Sequence, residues 1–234
     1  MKSNTHVTFR YAFRASLPVF AGYLALGMGF GILLQSKGFA WWWATLMSLT
    51  MFTGSMQYLA VDLLAGGASL LTAALMTFMV NLRYLFYSII MLEEYKGIGK
   101  AKPYLIFALT DETFSLVYQP KLPDFIDRRK YVLFVSLLDH AYWLFGSTLG
   151  AVLGSILPFD TTGVDFAMTA LFIVIFVEQW EKQKNHLPAC IGIFVTVICR
   201  LIFGTSNFLI PAMIAMTLIL FGLHPFLKGD DAHA

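Results

Sequence analysis

Apolar residues occur along this chain in long runs, separated by short segments that hold most of its charges. The alternation of apolar and polar residues that is typical of β-strands is absent, so a transmembrane β-barrel is not expected. Because a helix needs about 20 apolar residues to cross a bilayer, the pattern predicts an all-α, polytopic membrane helical bundle with six to eight transmembrane segments. The eight candidate runs are Ala15–Ser36, Gly38–Val61, Leu63–Leu92, Pro103–Tyr118, Tyr131–Leu157, Phe166–Trp180, Leu187–Phe203 and Asn207–Leu227.

Two of these runs contain a polar interruption near the middle. Gly38–Val61 contains the segment Thr53–Gln57, and Pro103–Tyr118 contains the segment Thr110–Thr113. Irregular backbone is tolerated at membrane depth only where protein or a water-filled cavity surrounds it. We therefore interpret both runs as broken or re-entrant elements, which leaves six crossings. Eight full crossings are the alternative.

The distribution of basic residues distinguishes these two topologies, because cytoplasmic loops carry an excess of Lys and Arg. Of the 16 Lys and Arg residues, Arg83 and Arg200 lie within runs, which leaves 14 in loops and termini. Re-entrant elements would place 13 of these 14 on one side, whereas eight full crossings would place ten there. The count favours six crossings, with both termini and the Glu93–Lys102 loop in the cytoplasm.

The composition agrees with a membrane protein and excludes several other classes. Hydrophobic residues make up 58% of the 234 residues, charged residues 13%, and the mean hydropathy is +0.71. Soluble domains average about 45–50% apolar and about 25% charged residues. An ordinary cytosolic enzyme and a disordered chain are therefore excluded, and a net charge of +2 gives no basis for nucleic-acid binding. We interpret residues 1–234 as a single integral-membrane transporter domain.

Glycines after Pro18 predict a helix that packs closely against a neighbour or takes part in gating, since small residues let membrane helices approach. These glycines are Gly22, Gly27, Gly29 and Gly31. Gly27 and Gly31 recur as Gly150 and Gly154, at an offset of 123 residues. The recurrence is compatible with half-repeats 1–120 and 121–234, as in many transporters, and also with the general abundance of glycine in membrane helices.

Ionisable residues inside apolar runs are the main functional candidates, because a charge at the bilayer centre costs about 2.5–3.5 kcal/mol on insertion scales. Arg83 lies ten residues before Glu93, which is about 15 Å along a helix. One of the adjacent acids Asp111 and Glu112 is expected to pair with Arg83. A structural salt bridge, or a hydrated hairpin that carries both acids, is the alternative. The candidate substrate-binding residues are Asn81, Arg83, Asp111, Glu112 and Gln57.

Asp139 and His140 lie about 13 Å beyond Lys130 on one predicted helix, and they are candidates for proton or ion coupling. A structural hydrogen bond is the alternative. The sequence contains no H-E-x-x-H, G-x-S-x-G, P-loop or dinucleotide-binding pattern, and its two cysteines have no metal-ligand spacing. We therefore expect no catalytic residue, metal or cofactor, and coupling to an ion or proton rather than to ATP hydrolysis.

Four features occur together in one order and carry a resemblance to a known family. They are the glycine-rich helix from Pro18 to Gly31, Gly54–Gln57, Asn81–Arg83 and Leu109–Glu112. In these features the chain resembles the AzlC family, the large subunits of bacterial branched-chain amino acid exporters, most strongly from about Ala15 to Phe114. One departure is Tyr84, where many relatives are expected to have His.

The resemblance implies export of valine, leucine, isoleucine or methionine across the bacterial inner membrane, together with a small AzlD-type membrane subunit. A zwitterionic substrate needs a cation for its carboxylate and an acid for its ammonium group, and Arg83 with Asp111 or Glu112 would supply both. Two other classes stay open from the residues alone. One is a channel or facilitator for a small polar solute, and the other is an intramembrane enzyme that uses Asp139 and His140.

Overall fold

A computed structural model of the chain describes residues 5–118, 122–156, 169, 173, 176–177, 180–181 and 185–227. Regular secondary structure in this part of the chain is helical, and the chain divides into two units, Met1–Leu171 and Phe172–Ala234. Four of the described helices are long and apolar enough to cross a membrane: Thr5–Ser36, Leu70–Glu94, Arg128–Ile156 and Leu187–Gly204. The all-α membrane class is confirmed, whereas the number of crossings and the internal repeat stay predictions.

The described part of the first unit contains seven α-helices. They are α1 (Thr5–Ser36), α2 (Trp41–Thr50), α3 (Gly54–Ala65), α4 (Leu70–Glu94), α5 (Lys102–Phe107), α6 (Asp111–Val117) and α7 (Arg128–Ile156). Helix α1 begins ten residues before the predicted run, because its first turns are amphipathic: Thr8 and Ala12 are buried, while Arg10 and Arg14 are exposed.

Helices α1 and α7 run parallel and form the centre of this unit. Gly27 and Gly31 lie one helical turn apart on one face of α1, and both contact the α7 backbone. A Cβ atom at Gly31 would overlap backbone atoms of Ser147 and Ala151. Gly22 points away from this face and has open space around it. The remaining predicted glycine, at position 29, is half-buried.

The predicted run Gly38–Val61 contains α2 and α3, and α2 approaches the middle of α7. The hydroxyl groups of Thr45, in the middle of α2, and Thr148 of α7 lie 2.9 Å apart. The ring of Phe52, just after α2, stacks on His140 at a centroid distance of 4.6 Å. Helix α2 therefore runs antiparallel to α7, because Phe52 contacts α7 about two turns nearer its N-terminal end than Thr45 does.

Helix α3 then runs back in the opposite direction along α1. Its first residue, Gly54, contacts the ring of Trp143, at the level where the Tyr23 ring of α1 packs 5.3 Å from that tryptophan. Tyr58, one turn later, packs its ring 5.8 Å from Phe30, nearer the C-terminal end of α1. We call α2 and α3 together the first hairpin.

The predicted run Pro103–Tyr118 forms a second hairpin, α5 and α6, at the opposite end of α1 and α7. Thr110, between its two helices, lies 2.7 Å from the Tyr23 hydroxyl group. Further along α6, the carbonyl oxygen of Leu116 accepts a hydrogen bond of 3.4 Å from Tyr131, in the first turn of α7. The two hairpins thus enter from opposite ends, and both turn at the level of Tyr23.

Each break in the two hairpins ends at the first residue of a predicted polar interruption. Residues Met51–Thr53 separate α2 from α3, and Ala108–Thr110 separate α5 from α6. The polar residues themselves form the first turns of α3 and α6, because the carbonyl oxygens of Thr53 and Thr110 accept helical hydrogen bonds of 3.0 and 2.8 Å from the amides four positions later. The interruption is therefore a helix start and not a loop.

The C-terminal end of α4 lies against the N-terminal ends of α1 and α7. Glu94 forms an ion pair with Arg128. Met91 and Tyr95 are buried in one apolar cluster with Ala12 and residues of the first turns of α7. The Glu93–Lys102 segment therefore begins at the same end of the first unit as the start of α1.

The described part of the second unit contains α8 (Leu187–Asn207) and α9 (Leu209–Leu227). The two helices pack through Val195, Cys199 and Ala212. Gly204 adopts a φ of +74°, which breaks the helical geometry near the end of α8. Most of the predicted run Phe166–Trp180, and the segment that connects it to the preceding run, lie outside the described residues.

Candidate functional site

An ion pair lies where the second hairpin meets α4. Arg83 Nη1 donates to Asp111 Oδ2 at 2.7 Å, and Arg83 Nη2 donates to Ser55 Oγ at 2.7 Å. The guanidinium group also lies over the Tyr84 ring, 4.8 Å from its centroid. The side chains of Arg83 and Asp111 are 31% and 18% exposed, so the pair borders accessible space.

Each partner of this ion pair keeps one polar atom without a hydrogen bond. Arg83 Nε and Asp111 Oδ1 are both buried and have no partner among the described residues. A buried polar atom without a partner costs about 1–3 kcal/mol. The pair therefore offers one free donor next to a cation and one free acceptor on an anion.

Glu112 does not share this ion pair, although it is the next residue along the chain. Adjacent side chains on a helix point about 100° apart, and Glu112 Oε2 instead accepts a hydrogen bond of 2.8 Å from the Tyr23 hydroxyl group. Of the two acids singled out in the sequence, Asp111 pairs with Arg83 and Glu112 faces α1.

Asn81 of α4 and Gln57 of α3 both lie near the break between α2 and α3. Thr53 Oγ1 donates to Asn81 Oδ1 at 3.1 Å, which joins α4 to the first hairpin. Gln57 is fully buried: its amide donates to Ser48 Oγ at 3.0 Å and accepts from Trp143 Nε1 at 2.5 Å. Its predicted contact with substrate would require these bonds to open, and that role stays a prediction.

Asp139 and His140 form hydrogen bonds with different elements and are not arranged as a catalytic dyad. Thr113 donates to Asp139 Oδ2 at 2.8 Å, so Asp139 faces the second hairpin. His140 Nε2 donates to the carbonyl oxygen of Ser48 at 3.1 Å, in the first hairpin. With that donor fixed, Nδ1 of the neutral ring accepts from the Tyr104 hydroxyl group, 3.1 Å away.

Several polar residues at this junction were not among the candidate site residues named from the sequence, although three of them lie in the predicted polar interruptions. They are Tyr23, Ser48, Ser55, Thr110 and Thr113. Hydroxyl groups carry no charge, and they are common in apolar helices, so nothing marked them individually. Tyr23 lies one turn before Gly27 and hence on the face of α1 that contacts α7, which is the one signal that could have identified it.

The described residues contain no group of three or more His, Cys, Asp or Glu side chains that could hold a metal ion. Both cysteines are free thiols in the second unit, Cys190 exposed and Cys199 buried. Where the second hairpin meets α1, α4 and α7, the groups available for chemistry are therefore one ion pair, two further carboxyl groups and the hydroxyl groups between them.

Comparison with known proteins identifies the family of this chain. The family model described as AzlC protein matches residues 18–157. The chain belongs to the AzlC family. The matched AzlC region extends from α1 to the end of α7 and includes the ion pair and both hairpins, so the resemblance seen in the sequence motifs is confirmed.

Named relatives of this AzlC chain cover most of its length. It is 45% identical to the branched-chain amino acid transport protein AzlC of Bacillus subtilis, over 92% of this chain and 85% of that protein. It is 43% identical to an uncharacterized membrane protein of Haemophilus influenzae, over 91% and 86%. It is 25% identical to the inner membrane protein YgaZ of Escherichia coli, over 76% of each. No solved structure matches the chain.

Proposed function

We propose that this AzlC-family chain is a secondary transporter that exports valine, leucine, isoleucine and methionine across the bacterial inner membrane. The proposal includes coupling to an ion or proton and a small AzlD-type partner subunit. A relative with 45% identity is named for branched-chain amino acid transport. The family resemblance supports the direction of transport and the partner.

The observation that carries this proposal is the partly exposed ion pair Arg83–Asp111, in which each partner keeps one buried polar atom without a hydrogen bond. The carboxylate of an amino acid would accept hydrogen bonds from the guanidinium group, including Nε, and its ammonium group would donate to Asp111 Oδ1. Charge-assisted hydrogen bonds of this kind are about twice as strong as neutral ones. A zwitterion would thus satisfy both unpaired atoms at once.

Specificity in this proposal comes from the surroundings of the pair. Tyr84 covers one side of the guanidinium group, and Tyr87 stacks with Phe114 of α6 at 4.5 Å. An apolar surface discriminates one methylene by only about 1–3 kcal/mol, so we expect overlapping use of the four apolar amino acids. Lysine and glutamate should be excluded, because an extra unpaired charge at this depth is costly.

Six crossings with cytoplasmic termini belong to the same proposal. Support comes from Glu94 and Arg128, whose ion pair brings the end of α4 to the start of α7, and from the opposed hairpins. The test is labelling of Lys100→Cys from either side of sealed vesicles, with Cys190 and Cys199 replaced by serine. Access from the cytoplasmic side is expected, and access from the outside alone would contradict the six-crossing topology.

The test of function is efflux of labelled valine from preloaded cells that express the chain with a small partner subunit. We expect faster valine loss than in cells without the chain, and exchange of internal for external valine in counterflow. Arg83→Ala should abolish both activities. Arg128→Ala is the matched control, because it also removes an ion pair from α4 but at its exposed end. Efflux without counterflow would indicate a channel, and no movement of any amino acid would contradict the proposal.

A further inference from the structure

Three hydroxyl groups connect the carboxyl groups of Glu112 and Asp139. Tyr23 Oη lies 2.8 Å from Glu112 Oε2 and 2.7 Å from Thr110 Oγ1. Thr110 Oγ1 lies 3.0 Å from Thr113 Oγ1, which lies 2.8 Å from Asp139 Oδ2. The three hydroxyl residues and Asp139 are each at most 4% exposed, so the connection is closed to bulk water.

A count of hydrogen atoms shows what this chain of oxygens requires. Its four oxygen–oxygen contacts are all of hydrogen-bond length, and each such contact needs one hydrogen. The three hydroxyl groups supply only three. If Tyr23 donates to Glu112, and Thr110 and Thr113 donate towards Asp139, no hydrogen remains between Tyr23 and Thr110. A fourth hydrogen has to come from one of the two acids.

We propose that Glu112 and Asp139 share one proton through this hydroxyl chain. When Glu112 holds the proton, it donates to Tyr23, and every hydroxyl group donates onward until Thr113 donates to the Asp139 carboxylate. When Asp139 holds the proton, all four hydrogen bonds point the other way. In the transfer each hydroxyl oxygen breaks one O–H bond and forms one, so the only net change is the movement of a proton between the acids.

Burial and charge support this sharing. Neither acid forms an ion pair within the described residues, and Asp139 Oδ1 is buried with no hydrogen-bond partner there. Two unpaired carboxylates inside an apolar protein would be costly. One shared proton leaves a single negative charge, which either end of the chain can hold.

Other ionisable groups near the two acids have their own partners and do not supply the fourth hydrogen. Near Glu112 lie Arg83, Tyr84 and Asp111, which contact one another. Around Asp139 lie Tyr104, Tyr131, His140 and Tyr142. The hydroxyl groups of Tyr104, Tyr131 and Tyr142 contact His140, Leu116 and Ser16 respectively, and none of them contacts the three connecting hydroxyl groups.

The position of Glu112 gives the shared proton a role, which rests on the proposed transport function. An ionised Glu112 places a second negative charge beside Asp111 and favours a substrate ammonium group there. Return of the proton from Asp139 removes that charge and weakens binding. Substrate and proton would thus alter each other's affinity, which is the requirement for coupling.

The test is infrared spectroscopy of the purified full-length chain in lipid nanodiscs at neutral pH, read at the C=O band of protonated carboxyl groups. We expect Glu112→Gln and Asp139→Asn each to abolish the same band. In either variant the new amide group supplies the fourth hydrogen, and the remaining carboxyl group is then ionised. Two independent acids predict loss in only one variant, and this result, or no band in the unmodified chain, would overturn the proposal.

If Glu112→Gln or Asp139→Asn prevents folding, a second pair of variants still tests whether the proton is shared. Tyr23→Phe keeps the ring but removes the hydroxyl group that joins Glu112 to Thr110. One acid still has to hold the proton, but the proton is no longer shared, so the band should shift in frequency. Tyr58→Phe is the matched control, because the buried Tyr58 hydroxyl group donates to the carbonyl oxygen of Leu26 and is not one of the three connecting hydroxyl groups. This variant should keep the band. An unchanged band in Tyr23→Phe would overturn the proposal. None of these readouts needs transport, so failure to move amino acids would contradict the proposed function alone.

Discussion

The first and second hairpins of this AzlC-family chain have the same backbone plan and different chemistry. Each consists of two short helices separated by three residues that end in threonine, and each turns beside the middle of α7. The buried polar side chains near the turn of the first hairpin, Ser48, Ser55 and Gln57, are neutral, and its one acid, Asp62, is exposed in α3. The second hairpin carries Asp111 and Glu112 in the first turn of α6.

This difference shows how neutral and charged groups are accommodated in an apolar protein. Neutral groups satisfy one another locally, as Gln57 does with Ser48 and Trp143. A carboxylate needs a cation or a proton, and the second hairpin obtains these from other helices. Arg83 of α4 binds one acid and Tyr23 of α1 binds the other, so the functional candidates concentrate at the second hairpin.

Arg83→Ala should produce the largest effect, because it removes the cation on which the second hairpin depends. We expect transport to fall to background, measured as valine efflux. The free energy of unfolding should fall by less than the roughly 3–5 kcal/mol typical of a buried pair, since the partners are 31% and 18% exposed. If Arg83→Ala fails to accumulate while the double variant with Asp111→Ala is stable, the pair is a structural salt bridge instead.

Gln57→Leu tests whether the first hairpin is structural. It leaves Trp143 Nε1 without an acceptor, so we expect the free energy of unfolding in mixed micelles to fall by about 1–3 kcal/mol. The KM for valine should change little in the folded fraction. A raised KM at unchanged stability would instead support the substrate contact predicted from the sequence.

Gly54→Ala tests the close contact between the first hairpin and α7. An added Cβ atom would lie 2.8 Å from the Trp143 ring, and overpacking of this kind costs about 1–3 kcal/mol. Gly22→Ala is the control, because nothing lies within 4 Å of the new atom. Thermal unfolding of both variants measures the difference, and equal stability would show that the tryptophan ring moves without cost.

Thr110→Val and Thr53→Val compare the two breaks directly, and Thr53→Val should have the smallest effect of the variants considered. Thr110 Oγ1 accepts a capping hydrogen bond of 3.2 Å from the Thr113 amide, and loss of such a cap costs about 0.5–2 kcal/mol. Thr53 has no capping bond and contributes one hydrogen bond to Asn81, worth about 0.5–1.5 kcal/mol. Thermal unfolding should therefore rank Thr110→Val as the less stable variant, and the reverse order would contradict this difference.

Much of the fold was predictable from the apolar runs. They gave the helical class, the extent of α4 to within seven residues at its start and two at its end, and the fact that two runs are broken. The break positions were displaced, because polar residues that interrupt an apolar run also serve well in the first turn of a new helix. Of the candidate site, the sequence supplied Arg83, Asp111, Glu112 and Asp139. Thr110 and Thr113 were noted only as the ends of a polar interruption, and Tyr23 was not selected.

The sequence by itself determined the membrane class and the residues that carry charge, because the cost of placing each residue in lipid depends on that residue and its near neighbours. Only the tertiary structure decided which acid meets Arg83 and which faces Tyr23. Asp111 and Glu112 have the same chemistry and adjacent positions, and a rotation of about 100° along α6 separates their directions. Their partners lie 28 and 89 positions away along the chain, and packing of the second hairpin against α1, α4 and α7 brings them together.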